Sequence, residues 1–224
     1  MNIGSLVFDD MDQIDFTGPF EVLSRLPGGH HRVYGITGQP VRDVRGLTIV
    51  PDAAIGDAPA LDVLHVPGGR GVDVLMENEE VLAWLRKQSG NVVLSVCTGA
   101  LQLGAAGLLA GRRATTHWAS LHLLPEFGAE AVDERVVVDG DWIFAAGVTS
   151  GIDGALTLAA RLCGDEVAQG LQLYMQYAPE PPFNAGTPDT APPSVLAKAR
   201  ADMAEVTERR LHTIRRIVSE HAHP

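Results

Sequence analysis

Apolar residues along the chain fall in short blocks that alternate with amphipathic stretches, and this alternation outlines a fold. Ile3–Phe8, Leu61–Val66 and Val92–Val96 are compact, mostly apolar runs of strand length, each followed by a polar or glycine-containing turn. Runs of this kind fit strands buried on both faces. His31–Thr37 reads as another strand, and Gly46–Pro51 as part of a further one with a short extension at Asp52–Ile55. Asp9–Ile14 reads as a loop. Asp15-Phe-Thr-Gly-Pro then leads into a helix over Pro19–Leu26, with Thr17 as N-cap and Pro19 in the first turn. Val72–Gln88 predicts two short helices parted at Glu77-Asn-Glu-Glu80, and Leu101–Leu109 one helix closed by Gly111.

The second half continues the alternation. Arg112–Thr116 is a short strand and Ala119–Glu126 a helix. Ala131–Val138 and Trp142–Ala146 flank Asp139-Gly-Asp141, a hairpin signal. Asp153–Cys163 and Asp165–Tyr177 have helical periodicity. Ala178–Pro193, rich in Pro, Gly, Thr and Asn, is a long loop, and Ser194–His221 is one charged amphipathic helix. Strand, glycine turn and helix in repetition predict an α/β fold: a mainly parallel sheet with helices on both faces, in one domain over 1–224. Ligands of such sheets bind at the carboxyl ends of the strands. Three turns are candidates there: Asp15–Gly18, Pro67–Gly71 and Cys97–Gly99.

Composition narrows the partners. Hydrophobic residues make up 46% of 224 positions, enough for a sizeable core. The formal charge of −11 argues against nucleic acid and anionic membrane surfaces. No apolar run reaches membrane-spanning length, and the first residues lack the marks of a signal peptide. With only two cysteines, Cys97 and Cys163, a reducing cytoplasm is the expected setting.

Cys97 is the sharpest chemical feature. A buried strand ends on it and a helix follows at once, as in the nucleophile turns of hydrolases, although the full Gly-x-Ser-x-Gly pattern is absent. A helix start favours thiolate over thiol, and Thr98, Gly99 and Ala100 are small enough to admit a substrate. The competing reading is a buried structural cysteine. Asp15, between Ile14 and Phe16, is placed to have a raised pKa and to carry a proton; capping the following helix is the even alternative. The backbone N–H groups of Pro67-Gly-Gly-Arg-Gly71, at Gly68 and Gly69, are placed to steady developing charge, without the spacing of a phosphate loop. His117 could orient a group near Cys97, but a hydrogen-bonded structural histidine is the favoured reading. His30 and His31 read as solvated, and Cys163 as structural. No His, Cys, Asp and Glu set has metal-site spacing, so neither metal nor cofactor is expected.

These segments carry a resemblance. Asp15-Phe-Thr-Gly-Pro19, Pro67-Gly-Gly-Arg-Gly71, Ser95-Val-Cys-Thr-Gly-Ala100, Gly111-Arg-Arg-Ala-Thr-Thr-His-Trp118, Thr149-Ser-Gly-Ile-Asp153 and the Pro-Pro-Phe-Asn-Ala-Gly loop at 181–186 resemble the ThiJ/PfpI superfamily, and within it the isonitrile hydratases. The resemblance implies a flavodoxin-like three-layer sandwich, a homodimer, Cys97 as nucleophile with Asp15 as acid and base, and Thr98 beside them. It implies addition of water to an isonitrile through a thioimidate, giving an N-substituted formamide. Protease-like relatives carry His after the cysteine where this chain has Thr98, which argues against peptidase chemistry. The rivals are another cysteine enzyme on this fold, glyoxalase-like or peptidase-like, and a non-enzymatic redox or ligand sensor. About thirty residues after Pro193 are too few for the paired DNA-binding units of the related regulators.

Overall fold

The computed structural model describes residues 1–221. Its strands are β1 (Asn2–Val7), β2 (His30–Gly35), β3 (Val41–Arg42), β4 (Thr48–Ile49), β5 (Ala53–Ala54), β6 (Val63–Val66), β7 (Val92–Val96), β8 (Arg113–Ala114), β9 (Glu130–Ala131), β10 (Val136–Asp139) and β11 (Trp142–Ala145). Its helices are α1 (Gln13–Leu23), α2 (Val72–Leu75), α3 (Glu79–Gln88), α4 (Gly99–Ala105), α5 (Ser150–Cys163), α6 (Asp165–Tyr174) and α7 (Pro193–His221).

Seven strands form the central sheet in the order β10-β11-β7-β6-β1-β2-β5. Every pairing in it is parallel except the β10–β11 hairpin, whose two-residue turn is Gly140-Asp141. The apolar runs read from sequence become its central strands because both faces are covered. On one face Ile3, Val63, Leu94 and Ile143 pack against Val22 and Leu23 of α1 and Ala155 and Leu158 of α5. On the other, Leu6, Leu64, Val93 and Phe144 meet Leu82 and Leu85 of α3, Leu101 of α4 and Ile214 of α7. The fold is thus the expected α/β sandwich of three layers. Since β7, β6 and β1 are neighbours and parallel, the turns that follow them emerge side by side.

Several local expectations are corrected. Helix α1 starts at Gln13, six residues before Pro19, because Asp12 serves as N-cap by accepting the Ile14 N–H at 3.2 Å. Thr17 lies within the helix and donates to Gln13 Oε1 at 2.8 Å, so neither it nor Asp15 is the cap. Helix α4 is shorter than the apolar pattern, ending at Ala105 before Gly107 takes φ 77°. Trp118–Phe127 is a 3-10 helix rather than an α-helix; Pro125 inside it cannot donate an α-helical bond. Helix α6 stops at Tyr174, three residues early. Thr48–Ile49 pairs with Val41–Arg42 in a separate ribbon outside the main sheet.

Candidate active site

The turns after β1, β6 and β7 close on one another. Asp12 N–H donates to the Gly68 carbonyl at 3.0 Å, and Gly71 N–H to the Asp10 carbonyl at 3.0 Å. Gly68 N–H donates to Asp15 Oδ2 at 3.1 Å. Gly69 N–H donates to Thr98 Oγ1 at 3.0 Å, and that hydroxyl reaches the Gly69 carbonyl at 3.2 Å. Such close approach requires glycine. A Cβ on Gly68 would stand 2.5 Å from the Thr98 nitrogen, and Gly69 holds φ 137°.

Cys97 has φ 53°, a left-handed conformation that costs a non-glycine residue about 1 kcal/mol or more. The surroundings enforce it: its N–H donates to the Ala145 carbonyl at 3.0 Å, and its carbonyl accepts from Thr116 Oγ1 at 2.6 Å. Only 6% of the residue is exposed. Cys97 nonetheless lines a cavity of about 460 Å³, so it is a buried cysteine with an open approach rather than one sealed in the core. Ile14, Val44, Val148, Met203 and Val206 give this cavity apolar walls.

Asp15 is fully buried, and its Oδ1 has no hydrogen-bond partner. Burial, and then the nearby Asp12 carboxylate, push its pKa up to about 7; the Cys97 thiol and the Gly68 N–H oppose the rise. The Cys97 pKa is raised well above the ordinary thiol value, by burial first and then by the Asp15 charge. The Thr98 and Val148 N–H groups bias sulfur toward thiolate but do not prevail. The helix start favours thiolate, but burial and the Asp15 charge act the other way on this sulfur. A seven-residue helix start does not outweigh desolvation beside a carboxylate.

The Gly68 and Gly69 N–H groups, expected to face substrate, are engaged by Asp15 and Thr98. The Thr98 and Val148 N–H groups are the backbone groups that lower the sulfur pKa. His117 lines the cavity; its Nδ1 accepts from Ala119 N–H at 3.4 Å, which leaves the proton on Nε2. Burial, then Arg210, hold the His117 pKa down near 4, so the ring is neutral. Cys163 is half-buried at the end of α5. His31 is not simply solvated: it is half-buried and hydrogen-bonded to Ser5. Among the described residues no group of three or more His, Cys, Asp and Glu is arranged to hold a metal ion.

Sequence reading missed the wall that α7 contributes. Met203, Val206 and Arg210 face the cavity, and Arg210 is 4% exposed. Its guanidinium pairs with Asp73, donates to the Gly69 carbonyl at 3.1 Å and reaches Ser120 Oγ at 3.5 Å. The signal was present: Arg210 interrupts an apolar stripe running through Met203, Val206, Ile214 and Ile217.

A mainly parallel sheet with a buried cysteine after β7 and a buried acid in the helix after β1, on either side of the β6 turn, places the protein in the α/β class with helices on both faces of the sheet. The chain belongs to the DJ-1/PfpI family, whose pattern matches residues 1–161. It is 48% identical over 218 residues to an isonitrile hydratase of Pseudomonas putida, covering 93% of this chain and 96% of that protein. It is 30% identical to a glutathione-independent glyoxalase of Caenorhabditis elegans, covering 73% and 89%. A crystal structure of a ThiJ/PfpI family protein from Pseudomonas syringae matches with TM-score 0.93 and 38% identity, over 95% of this chain and 90% of that one.

Proposed function

We propose that this chain is an isonitrile hydratase, a lyase adding water to an isonitrile to form an N-substituted formamide, with Cys97 as nucleophile and Asp15 as proton carrier. The observation that carries the mechanism is the buried Asp15–Cys97 pair. Identity to the Pseudomonas putida enzyme over nearly both full lengths supports the substrate class.

The pair holds one proton in its reactive form. Asp15 takes the thiol proton as sulfur attacks the terminal isonitrile carbon, then delivers it to that carbon. The product is a thioimidate, R–N=CH–S–Cys97. Water next adds to the same carbon. Asp15 accepts one water proton and passes it to the imidate nitrogen, which becomes N–H; as the carbonyl forms, Asp15 accepts the second proton from the added hydroxyl. The carbon–sulfur bond breaks, sulfur regains a proton from Asp15, and R–NH–CHO leaves. The Thr98 and Val148 N–H groups stabilise negative charge on sulfur at both ends of the cycle. Thr98 Oγ holds the Gly69 turn in place, and neutral His117 lines the approach. No step calls on a cofactor.

The test is formamide formation from a simple alkyl or aryl isonitrile, wild type against Cys97→Ala, with methylglyoxal as a competing substrate. The reading expects formamide from the wild type only. Turnover of methylglyoxal but not isonitrile would favour a glyoxalase instead.

A homodimer belongs to this reading. Leu173, Tyr174 and Phe183 are 81%, 68% and 77% exposed, large apolar side chains of the sort that a second copy covers. No helix among the described residues is long and apolar enough to cross a membrane. The free thiol at the centre of the chemistry supports a reducing cytoplasmic setting.

A further inference from the structure

Asp15 lies in the first turn of α1, where its carbonyl would ordinarily accept the N–H of residue 19. Residue 19 is proline, which has no N–H, so that donor is missing. A side chain from the sheet stands in its place: His65 Nε2, on β6, lies 3.1 Å from the Asp15 carbonyl oxygen.

The direction of every bond in this cluster follows. A carbonyl only accepts, so Nε2 of His65 carries the proton and Nδ1 is the acceptor. Nδ1 lies 2.8 Å from Ser5 Oγ, which must donate to it. The Ser5 oxygen then accepts from His31 Nε2, also at 2.8 Å. Ser5 and His65 are directly paired positions on adjacent strands, and both are fully buried. Phe16 and Phe20 of α1 cover the two imidazoles, with ring centroids 6.5 and 4.9 Å away. Burial, then His31, push the His65 pKa down to about 3, so its ring is neutral at working pH.

We infer that His65 is a positioning residue for Asp15: its Nε2–H replaces the helical donor that Pro19 removes and pins the residue whose carboxyl group faces Cys97. Ser5 fixes the tautomer that makes this possible. The inference rests on the proposed proton-carrier role of Asp15. A displacement of α1 by a fraction of an ångström at this carbonyl moves the carboxyl group relative to sulfur, which proton transfer does not tolerate.

The experiment compares His65→Leu, His65→Gln, Pro19→Ala and the Pro19→Ala/His65→Leu double variant by isonitrile hydration, with melting curves to establish folding. His65→Leu is expected to lower kcat by about tenfold or more with KM within about threefold. His65→Gln, whose amide donates, recovers much of that loss. Pro19→Ala restores a backbone N–H to the Asp15 carbonyl, so removing His65 in that background costs little. Nitrogen NMR of the wild type is expected to show His65 as the neutral Nε2–H tautomer. A folded His65→Leu with wild-type kcat overturns the inference. So does an Nδ1–H tautomer, or an equal kcat loss on removing His65 in both backgrounds. If His65→Leu fails to fold alone, the double variant is compared with Pro19→Ala: near-equal kcat supports the inference and a tenfold gap overturns it. Asp15→Asn is measured alongside. Wild-type kcat in that variant removes the proton-carrier role itself, whereas an inactive Asp15→Asn beside a fully active His65→Leu removes only the positioning role.

Discussion

The Asp15 carboxyl group and the Cys97 thiol govern one another's protonation. The negative charge of Asp15 helps to drive the sulfur pKa up, while the thiol draws the Asp15 pKa back down against a larger burial effect. A pair coupled in this way releases its protons as a unit. The first proton leaves near pH 7, from the side where Asp15 dominates. The second leaves well above the usual cysteine value.

The pH profile of activity follows from that order. With both groups protonated, no base receives the thiol proton; with neither protonated, none is left for the isonitrile carbon. We expect kcat/KM to rise through an acid limb near pH 7 and to hold until the alkaline range. Ultraviolet titration of the thiolate should show none at neutral pH in the free enzyme. A thiolate signal titrating several pH units below the ordinary thiol value would contradict this arrangement of the pair.

Asp15 also makes stability depend on pH, in a definite direction. Its folded-state pKa of about 7 lies above the unfolded value of 3.8, so the folded protein holds this proton more tightly. The stability from that proton is fully present below pH 3.8, declines as pH rises, and is lost above about 7. The gap corresponds to roughly 4 kcal/mol, as an order of magnitude. Asp15→Asn keeps an acceptor for the Gly68 N–H and has nothing to ionise. Its denaturation midpoint relative to wild type should therefore climb between pH 4 and pH 8, while its kcat falls about a hundredfold or more. Urea unfolding of both proteins across that range, together with turnover at pH 7, checks both halves.

What could be read from the sequence divides along physical lines. The central strands were legible because a parallel sheet covered on both faces needs near-continuous apolar runs, and Ile3–Phe8, Leu61–Val66 and Val92–Val96 are such runs. The meeting of the 67–71 and 97–99 turns followed from glycine-rich turns at strand ends, whereas the Asp15–Gly18 segment, read as a turn, lies inside α1 and meets them from the helix. The start of α1 was missed because Pro19 looks like an N-terminal residue, when in fact His65 compensates for it inside the helix. The protonation state of Cys97 is not legible in the sequence, which shows a helix start but not the depth of burial. Arg210 was missed because nothing in α7 reveals which distant loop it meets until the chain is folded.

Arg210 joins α7 to the turn that holds Asp15 and Thr98, so its loss should register in both stability and rate. Arg210→Leu removes the buried one of the two arginines on Asp73, itself 18% exposed at its side chain, and leaves the Gly69 carbonyl with the Thr98 hydroxyl alone. Removing one member of a buried ion pair costs about 3–5 kcal/mol; the partial exposure of Asp73 places this case nearer 2–3. Thermal unfolding should show that loss. Arg210→Lys should recover part of the stability through the charge but less of kcat, since one ammonium cannot span Asp73, Gly69 and Ser120 together. A variant of wild-type stability and rate would detach α7 from the site.

The residue pair most open to re-engineering is Met203 and Val206, because they form an apolar wall of the cavity outside the segment that the family pattern covers. Neither side chain can gain or lose a proton. Changing them should alter which isonitriles fit while leaving the Asp15–Cys97 chemistry intact. Met203→Ala enlarges the space and is expected to raise kcat/KM for bulky substituents relative to small ones. Val206→Phe fills the space and should reverse that order. A methylene-sized change in an apolar pocket is worth about 1–3 kcal/mol, so the preference between a small alkyl and a large aryl isonitrile should move about tenfold or more. The acid limb near pH 7 should stay in place in both variants, since Asp15 keeps its surroundings. Equal effects on small and large substrates would place the substituent elsewhere, against the Ile14 and Val44 side of the cavity.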